Sequence, residues 1–262
     1  MTLSYQSAGT GEPLVLLHGM GSASTIWKQI MPQLTERFRV IAFDLPGHGN
    51  SSYDPNQNMD PHSLAVLIKD ELTKLEIDKA HFVGNSLGGW IAMDFAATYP
   101  EHTLSVVGLA PAGLWLVPTM QRTALGAKSR LIARFVYPFA DQLLKESWAR
   151  KFAFGLVSPE WRTLPRETLV DAVVAYGSSS GYFPAWDGML KRRFDKPISK
   201  TVPITIIFGD SDNTLPAQTS QERTLAPEHA RWVMLTRSGH APMWDRPTEV
   251  ISEIFLTTDN VL

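Results

Sequence analysis

The chain has 262 residues, 44% of them apolar, a formal net charge of −2 and no cysteine. That length can bury one large core, the lack of cysteine excludes disulfides, thiolate metal sites and a cysteine nucleophile, and the near-neutral charge argues against a general nucleic-acid role. No apolar run approaches the roughly 18 residues of a membrane span, and no basic segment followed by an apolar one opens the sequence, so a cytoplasmic protein is expected.

From the N-terminus, the first regular signal is Leu14-Val15-Leu16-Leu17, a continuous apolar run of the kind found in strands buried on both faces of a parallel sheet. It ends at His18-Gly19-Met20-Gly21. Apolar spacing through Ile26, Trp27, Ile30 and Leu34 predicts a helix after Ser24, a candidate N-cap. Val40 to Phe43 is the next strand, closed by the turn-rich loop from Asp44 to Ser51. A helix is expected from about Pro61 to Leu75, with Leu64, Leu67, Ile68, Leu72 and Leu75 on one face.

The short apolar run from Ala80 to Val83 leads into Gly84-Asn85-Ser86-Leu87-Gly88-Gly89, and a helical run continues to Tyr99. Strand, Gly-x-Ser-x-Gly and helix form the nucleophile-elbow pattern. Ser86 must sit at the tip of a strained turn, and Gly84 and Gly88 leave room for the close approach of strand and helix. A helix starting at Leu87 aims backbone N–H groups at the place where an oxyanion would form. Leu104 to Leu109 is another strand.

The alternation of strand and helix then stops. Between Pro111 and Pro203 only helical stretches are expected, near 120–135, 141–154, 165–176 and 184–194. Strands resume at Pro203 to Phe208 and Arg231 to Leu235, and a helix from Pro247 closes the chain. The pattern predicts an α/β fold with a mostly parallel central sheet and helices on both faces. A helical block inserted between two strands of one sheet reads as a lid. Residues 1–112 and 200–262 would then form the core and 113–199 the cap. The cap carries a net charge of +6 and the remainder −8, which ordinary solvated faces explain without an anionic substrate. Trp115, Trp148, Trp161 and Trp186, with Met120 and Met189, are candidate walls of an apolar pocket under the lid.

A serine hydroxyl needs a histidine to take its proton, and the histidine needs a carboxylate to fix its tautomer. In an open parallel sheet such groups gather beyond the carboxyl ends of the strands. The loop after Phe208 supplies Asp210 and Asp212 as candidate acids, and the loop after Leu235 supplies His240. The order serine, acid, histidine is that of the α/β-hydrolases.

With His18-Gly19, Asp44-x-x-Gly-x-Gly-x-Ser51, Gly84-Asn-Ser-Leu-Gly-Gly89, Gly209-x-x-Asp212 and Gly239-His240 in place, the chain resembles the lid-bearing esterases of the α/β-hydrolase fold over nearly its whole length. The resemblance implies a Ser86, Asp212, His240 triad, because in that family the acid stands three residues after the glycine. It also implies an oxyanion hole from the backbone N–H groups of Met20 and Leu87, with His18 and Asp44 ordering nearby loops. Asp245 reads as a residue that starts the last helix.

The expected activity is hydrolysis of carboxylic esters of small, largely apolar substrates through an acyl-enzyme, with no cofactor and no metal. The expected partner is the small-molecule substrate, with neither nucleic acid nor a membrane span; oligomeric state stays open. Haloalkane dehalogenases and epoxide hydrolases carry an aspartate where Ser86 stands. Carbon–carbon bond hydrolases share Gly-Asn-Ser-x-Gly-Gly and form the second reading, although they usually carry a tryptophan where Ala241 stands. Acyl transfer to another acceptor is not separated from hydrolysis. Gly19-x-Gly21-x-x-Ser24 with Asp44 mimics a dinucleotide fingerprint, and a non-catalytic ligand-binding protein on the same fold is a further alternative.

Overall fold

The computed structural model describes residues 2–260, apart from the side chain of Leu125, so the outermost positions of the two expected core pieces lie outside the described residues. Its strands are β1 (Tyr5–Ala8), β2 (Pro13–Leu17), β3 (Arg39–Phe43), β4 (Ala80–Asn85), β5 (Thr103–Leu109), β6 (Ile204–Gly209) and β7 (Arg231–Leu235). They form one sheet in the order β1-β3-β2-β4-β5-β6-β7. Strand β1 runs antiparallel to β3, and every other pairing is parallel. The longer helices are α1 (Pro61–Lys74), α2 (Leu87–Thr98), α3 (Ala124–Val136), α4 (Ser147–Phe154), α5 (Arg166–Ser178), α6 (Tyr182–Met189) and α7 (Pro247–Thr258).

Successive side chains of a strand point to opposite faces, and the core divides accordingly. Val15, Leu17, Ile41 and Phe43 join one apolar cluster with Leu64 and Ile68 of α1 and Ile91 and Phe95 of α2. Leu14, Leu16, Val40 and Ala42 join the other, with Trp27 and with Val250 and Ile254 of α7. The chain thus forms the expected sheet with helices on both faces. Helix α1 begins as its sequence dictates. Asp60 accepts from the backbone N–H groups of His62 (3.0 Å) and Ser63 (3.1 Å), and Pro61 occupies the first turn.

Two local expectations fail. The stretch after Ser24 is a 3-10 turn, Ser24–Trp27, and then one short helix, Met31–Leu34. Pro32 cannot donate a hydrogen bond there. Ser24 is no cap either: its N–H donates to Asp44 Oδ1 at 2.7 Å, and Ala23 holds the capping position. Strand β1 leaves no mark in the sequence, because all four of its residues are exposed and it shows no apolar alternation.

Between β5 and β6, α3 to α6 and shorter turns replace sheet entirely among the described residues. The candidate pocket walls there do mostly packing. Trp161 lies in the second core cluster. Trp115 meets Trp90 edge-on at 5.3 Å, and its Nε1 donates to the Arg192 carbonyl at 2.8 Å. Trp186 packs across Gly126 and, at 5.7 Å between centroids, Tyr182. Trp148 and Met120 turn outward, 66% and 61% exposed.

Candidate active site

Strand β4 lies between β2 and β5 and is buried along its whole length, so its last turn emerges at the middle of the sheet edge. Ser86 occupies that turn, with φ 55° and ψ −116°. A non-glycine residue held at such a φ costs roughly 1–3 kcal/mol and persists only where its surroundings impose it. Here the Ser86 N–H donates to the Leu109 carbonyl at 3.0 Å, and its own carbonyl accepts from Ala112 N at 2.9 Å and Trp90 N at 3.2 Å. A Cβ at Gly84 would collide with the Gly88 carbonyl, and one at Gly88 with the Leu17 carbonyl. The two glycines of the motif are thus required by the closeness of α2 to β4 and to the end of β2.

Beyond β6 and β7, Asp212 and His240 meet. His240 Nδ1 is 2.9 Å from Asp212 Oδ2, and the carboxylate is buried while the ring is partly open. Asp212 Oδ1 accepts from the N–H groups of Thr214 and Leu215, both at 2.8 Å. Burial works to raise this carboxyl, but His240 and the two backbone donors outweigh it and hold it below the ordinary carboxylate range. An ionised Asp212 can only accept, so Nδ1 of His240 donates to it and Nε2 points away from the carboxylate. Asp210 instead lies exposed, accepting from Ser211 Oγ of its own loop at 2.8 Å and from Ser238 N of the His240 loop at 3.4 Å, without reaching the imidazole. Among the described residues no hydrogen bond joins Ser86 Oγ to His240.

The loop carrying His240 is fastened from two directions. From the core, the Asn85 side-chain amide donates to the His240 carbonyl and to the Leu109 carbonyl, each at 3.0 Å. From the inserted segment, the Val157 carbonyl accepts the His240 N–H at 2.8 Å. A Cβ on Gly239 would strike that same carbonyl, so only glycine allows the approach. Asp245, buried, accepts from Gly239 N at 2.7 Å and from Ser158 Oγ. Burial pushes its carboxyl above the ordinary range. Glu160 adds ion pairs to Arg237 (2.5 Å) and Arg246 (3.3 Å). Asp245 does not start the last helix, which begins at Pro247 after Arg246; it ends the short helical turn Pro242–Asp245 and holds the His240 loop instead. Its proximity to His240 in sequence was a signal; its partner Ser158 lay too far away to be paired.

Near the elbow, Leu87 opens α2, where N–H groups lack intrahelical acceptors. The loop carrying Met20 passes close to it, since a Cβ on Gly19 would lie 3.0 Å from Ser86 Cβ. His18 fixes that loop. Its Nε2 accepts from Leu45 N at 2.9 Å, which leaves Nδ1 to donate to the Gly19 carbonyl at 2.7 Å. Burial lowers its pKa, consistent with a neutral ring. Asp44 spends both oxygens on backbone donors, Ser24 N (2.7 Å) and Asn50 N (2.9 Å). Asp44 is buried under these contacts and not open to a ribose, and the Tyr176 and Tyr182 rings lie against Gly21. The dinucleotide reading loses its acid and its open glycine loop.

A sequence profile described as the Alpha/beta hydrolase family matches residues 14–253. A pimeloyl-[acyl-carrier protein] methyl ester esterase from Photobacterium profundum is 28% identical over 96% of this chain and 96% of its own. A 2-hydroxy-6-oxo-6-phenylhexa-2,4-dienoate hydrolase from Burkholderia cepacia is 28% identical over 93% of this chain and 86% of its own. Among solved structures, a thermophilic esterase from Thermogutta terrifontis superposes with a TM-score of 0.73, at 21% identity, over 99% of this chain and 93% of that one. At that identity the likeness speaks for the fold.

Proposed function

We propose that this chain, which belongs to the Alpha/beta hydrolase family, is a serine hydrolase that cleaves carboxylic esters of small, largely apolar compounds through an acyl-enzyme. The observation that carries the reading is the 2.9 Å contact of Asp212 with His240 Nδ1, in a loop tied by the Asn85 amide to the elbow that holds Ser86 at φ 55°. Ser86 Oγ attacks the ester carbonyl carbon as His240 Nε2 takes its proton. Negative charge gathers on the carbonyl oxygen, where the N–H groups of Met20 and Leu87 receive it; one such donor is worth about 10²–10³ in rate. His240 then protonates the departing alcohol, and a water activated by the same imidazole releases the acid and restores Ser86. Residues 113–199 act as the lid that shapes the acyl side of the site.

An organophosphate tests the mechanism directly. Its phosphoryl group should add to the peptide containing Ser86, and His240→Ala should slow the labelling strongly. Absence of an adduct, under conditions that label a known serine esterase, overturns the triad. The Burkholderia relative favours a second reading, hydrolysis of a carbon–carbon bond in a vinylogous diketone. A panel of p-nitrophenyl esters run beside such a diketone decides between them. Turnover of the diketone alone would leave the triad standing and replace the ester.

A further inference from the structure

Most of the large apolar side chains that the described residues expose fall between Leu116 and Leu156. They are not scattered along that stretch. Leu131, Phe135 and Phe139 recur every fourth residue along α3 and the turn that continues it, with Ile132 beside them. Trp148, Phe152 and Leu156 recur in the same way along α4 and just past its end. Residues four apart share one face of a helix. In α4 that face points outward, Trp148 and Phe152 being 66% and 76% exposed, while Ala149 and Phe154 are the side chains turned inward. A water-facing helix ordinarily has the opposite arrangement, and exposed apolar faces of this kind mark an interaction surface.

The charges on these helices decide what the surface fits. Neither Ala124–Val136 nor Ser147–Phe154 contains an aspartate or glutamate. Lys128, Arg134 and Lys151 are exposed on them and form no ion pair among the described residues; beside α4, Lys145 stands next to the exposed Glu146, and Asp141 pairs with Arg166. Aromatic and aliphatic side chains flanked by unpaired cations suit an anionic lipid surface, where the rings enter the acyl boundary and lysines reach the headgroups. No helix among the described residues is long and apolar enough to cross a membrane, so the contact would be peripheral.

We propose that the outward faces of α3 and α4 dock this protein onto an anionic phospholipid bilayer. The full chain should sediment with vesicles of equal parts phosphatidylcholine and phosphatidylglycerol, and much less with phosphatidylcholine alone. High salt should weaken the binding. The double variant Phe135→Ser, Phe152→Ser should lose at least about tenfold in vesicle affinity per ring, and Lys128→Glu, Lys151→Glu about fivefold or more per charge. All four side chains are exposed, so circular dichroism and thermal unfolding should match the parent. Failure to sediment with the mixed vesicles overturns the proposal, as does binding that the phenylalanine variants leave intact. Sedimentation velocity covers the competing occupant. A dimer that the phenylalanine variants dissociate, without vesicle binding, would assign the face to a second copy of the chain. Because vesicle binding is read without turnover, it can fail or succeed independently of the ester reading.

Discussion

Asp210 and Asp212 stand two residues apart, and the fold gives them different company. Asp212 is buried against His240, whereas Asp210 is exposed and meets Ser211 and the Ser238 N–H, a contact an asparagine keeps. Asp212→Asn should therefore cost about 10⁴ in kcat, the loss expected when a triad histidine is left with the wrong tautomer, while Asp210→Asn leaves kcat near the parent value. The reverse order in steady-state kinetics would exchange their roles. Asp245 allows a finer separation. An asparagine there still accepts from Gly239 N through its oxygen and can donate to Ser158 Oγ, so Asp245→Asn should be tolerated. Asp245→Ala strands a buried N–H, at a cost of about 1–3 kcal/mol, and should lower kcat more than it raises KM, because His240 loses its placement. Equal effects of the two variants in kcat and KM would reduce Asp245 to bulk. Asp212 was legible because its spacing from Gly209 is local. The work of Asp245 was not, since Ser158 is 87 residues away and nothing in either neighbourhood announces the other. Asn85 is a similar case: its motif suggested a substrate class, and its amide is in fact committed to two carbonyls.

At the level of elements, the elbow makes the sharpest demand on sequence. Gly88→Ala drives a methyl group into the Leu17 carbonyl, and backbone cannot step aside as a flexible side chain would. Overpacking typically costs about 1–3 kcal/mol and occasionally more; this site belongs at the upper end. Urea denaturation should show the loss, and unchanged stability would mean that α2 sits farther from β2 than described. Strands β2 and β3 could be read from sequence because burial on both faces leaves an unbroken apolar run, and β4 to β6 because their runs are broken only by single buried polar residues, His81, Ser105 and Thr205. Strand β1 could not, since Tyr5, Gln6, Ser7 and Ala8 all remain exposed and its one ring contact with β3, Tyr5 against Phe43, leaves no apolar alternation to read. The inserted helices were legible as helices. Which of their aromatics turn inward was not, because α4 points its apolar face outward against the usual rule.

For the molecule as a whole, two buried histidines link stability to pH. His18 and His48 lie 5.3 Å apart between rings. Burial, reinforced by His18, pushes His48 from 6.5 down to about 3. As pH falls below 6.5 the unfolded chain takes up a proton that the folded chain refuses. The contribution is thus complete above about pH 6.5 and is lost progressively toward pH 3, at about 1.4 kcal/mol per pH unit for one such group. Tm should decline across that window, and His48→Gln should flatten the decline. An equally steep acid limb in the variant would place the linkage on other groups.

The double fastening of the His240 loop bears on how such enzymes diversify. If residues 113–199 were a module joined only at its two stems, recombination could exchange it freely between relatives. Val157 and Ser158 instead serve as a third point of attachment, received by Gly239, His240 and Asp245. A chimera carrying a foreign insert should hydrolyse poorly unless donor and recipient agree at that seam. Transplanting residues 157–160 along with the recipient's own loop should recover the rate without altering which acyl groups the donor insert admits. Substrate range and catalytic competence would then be inherited through different parts of one insertion, free to change at different speeds.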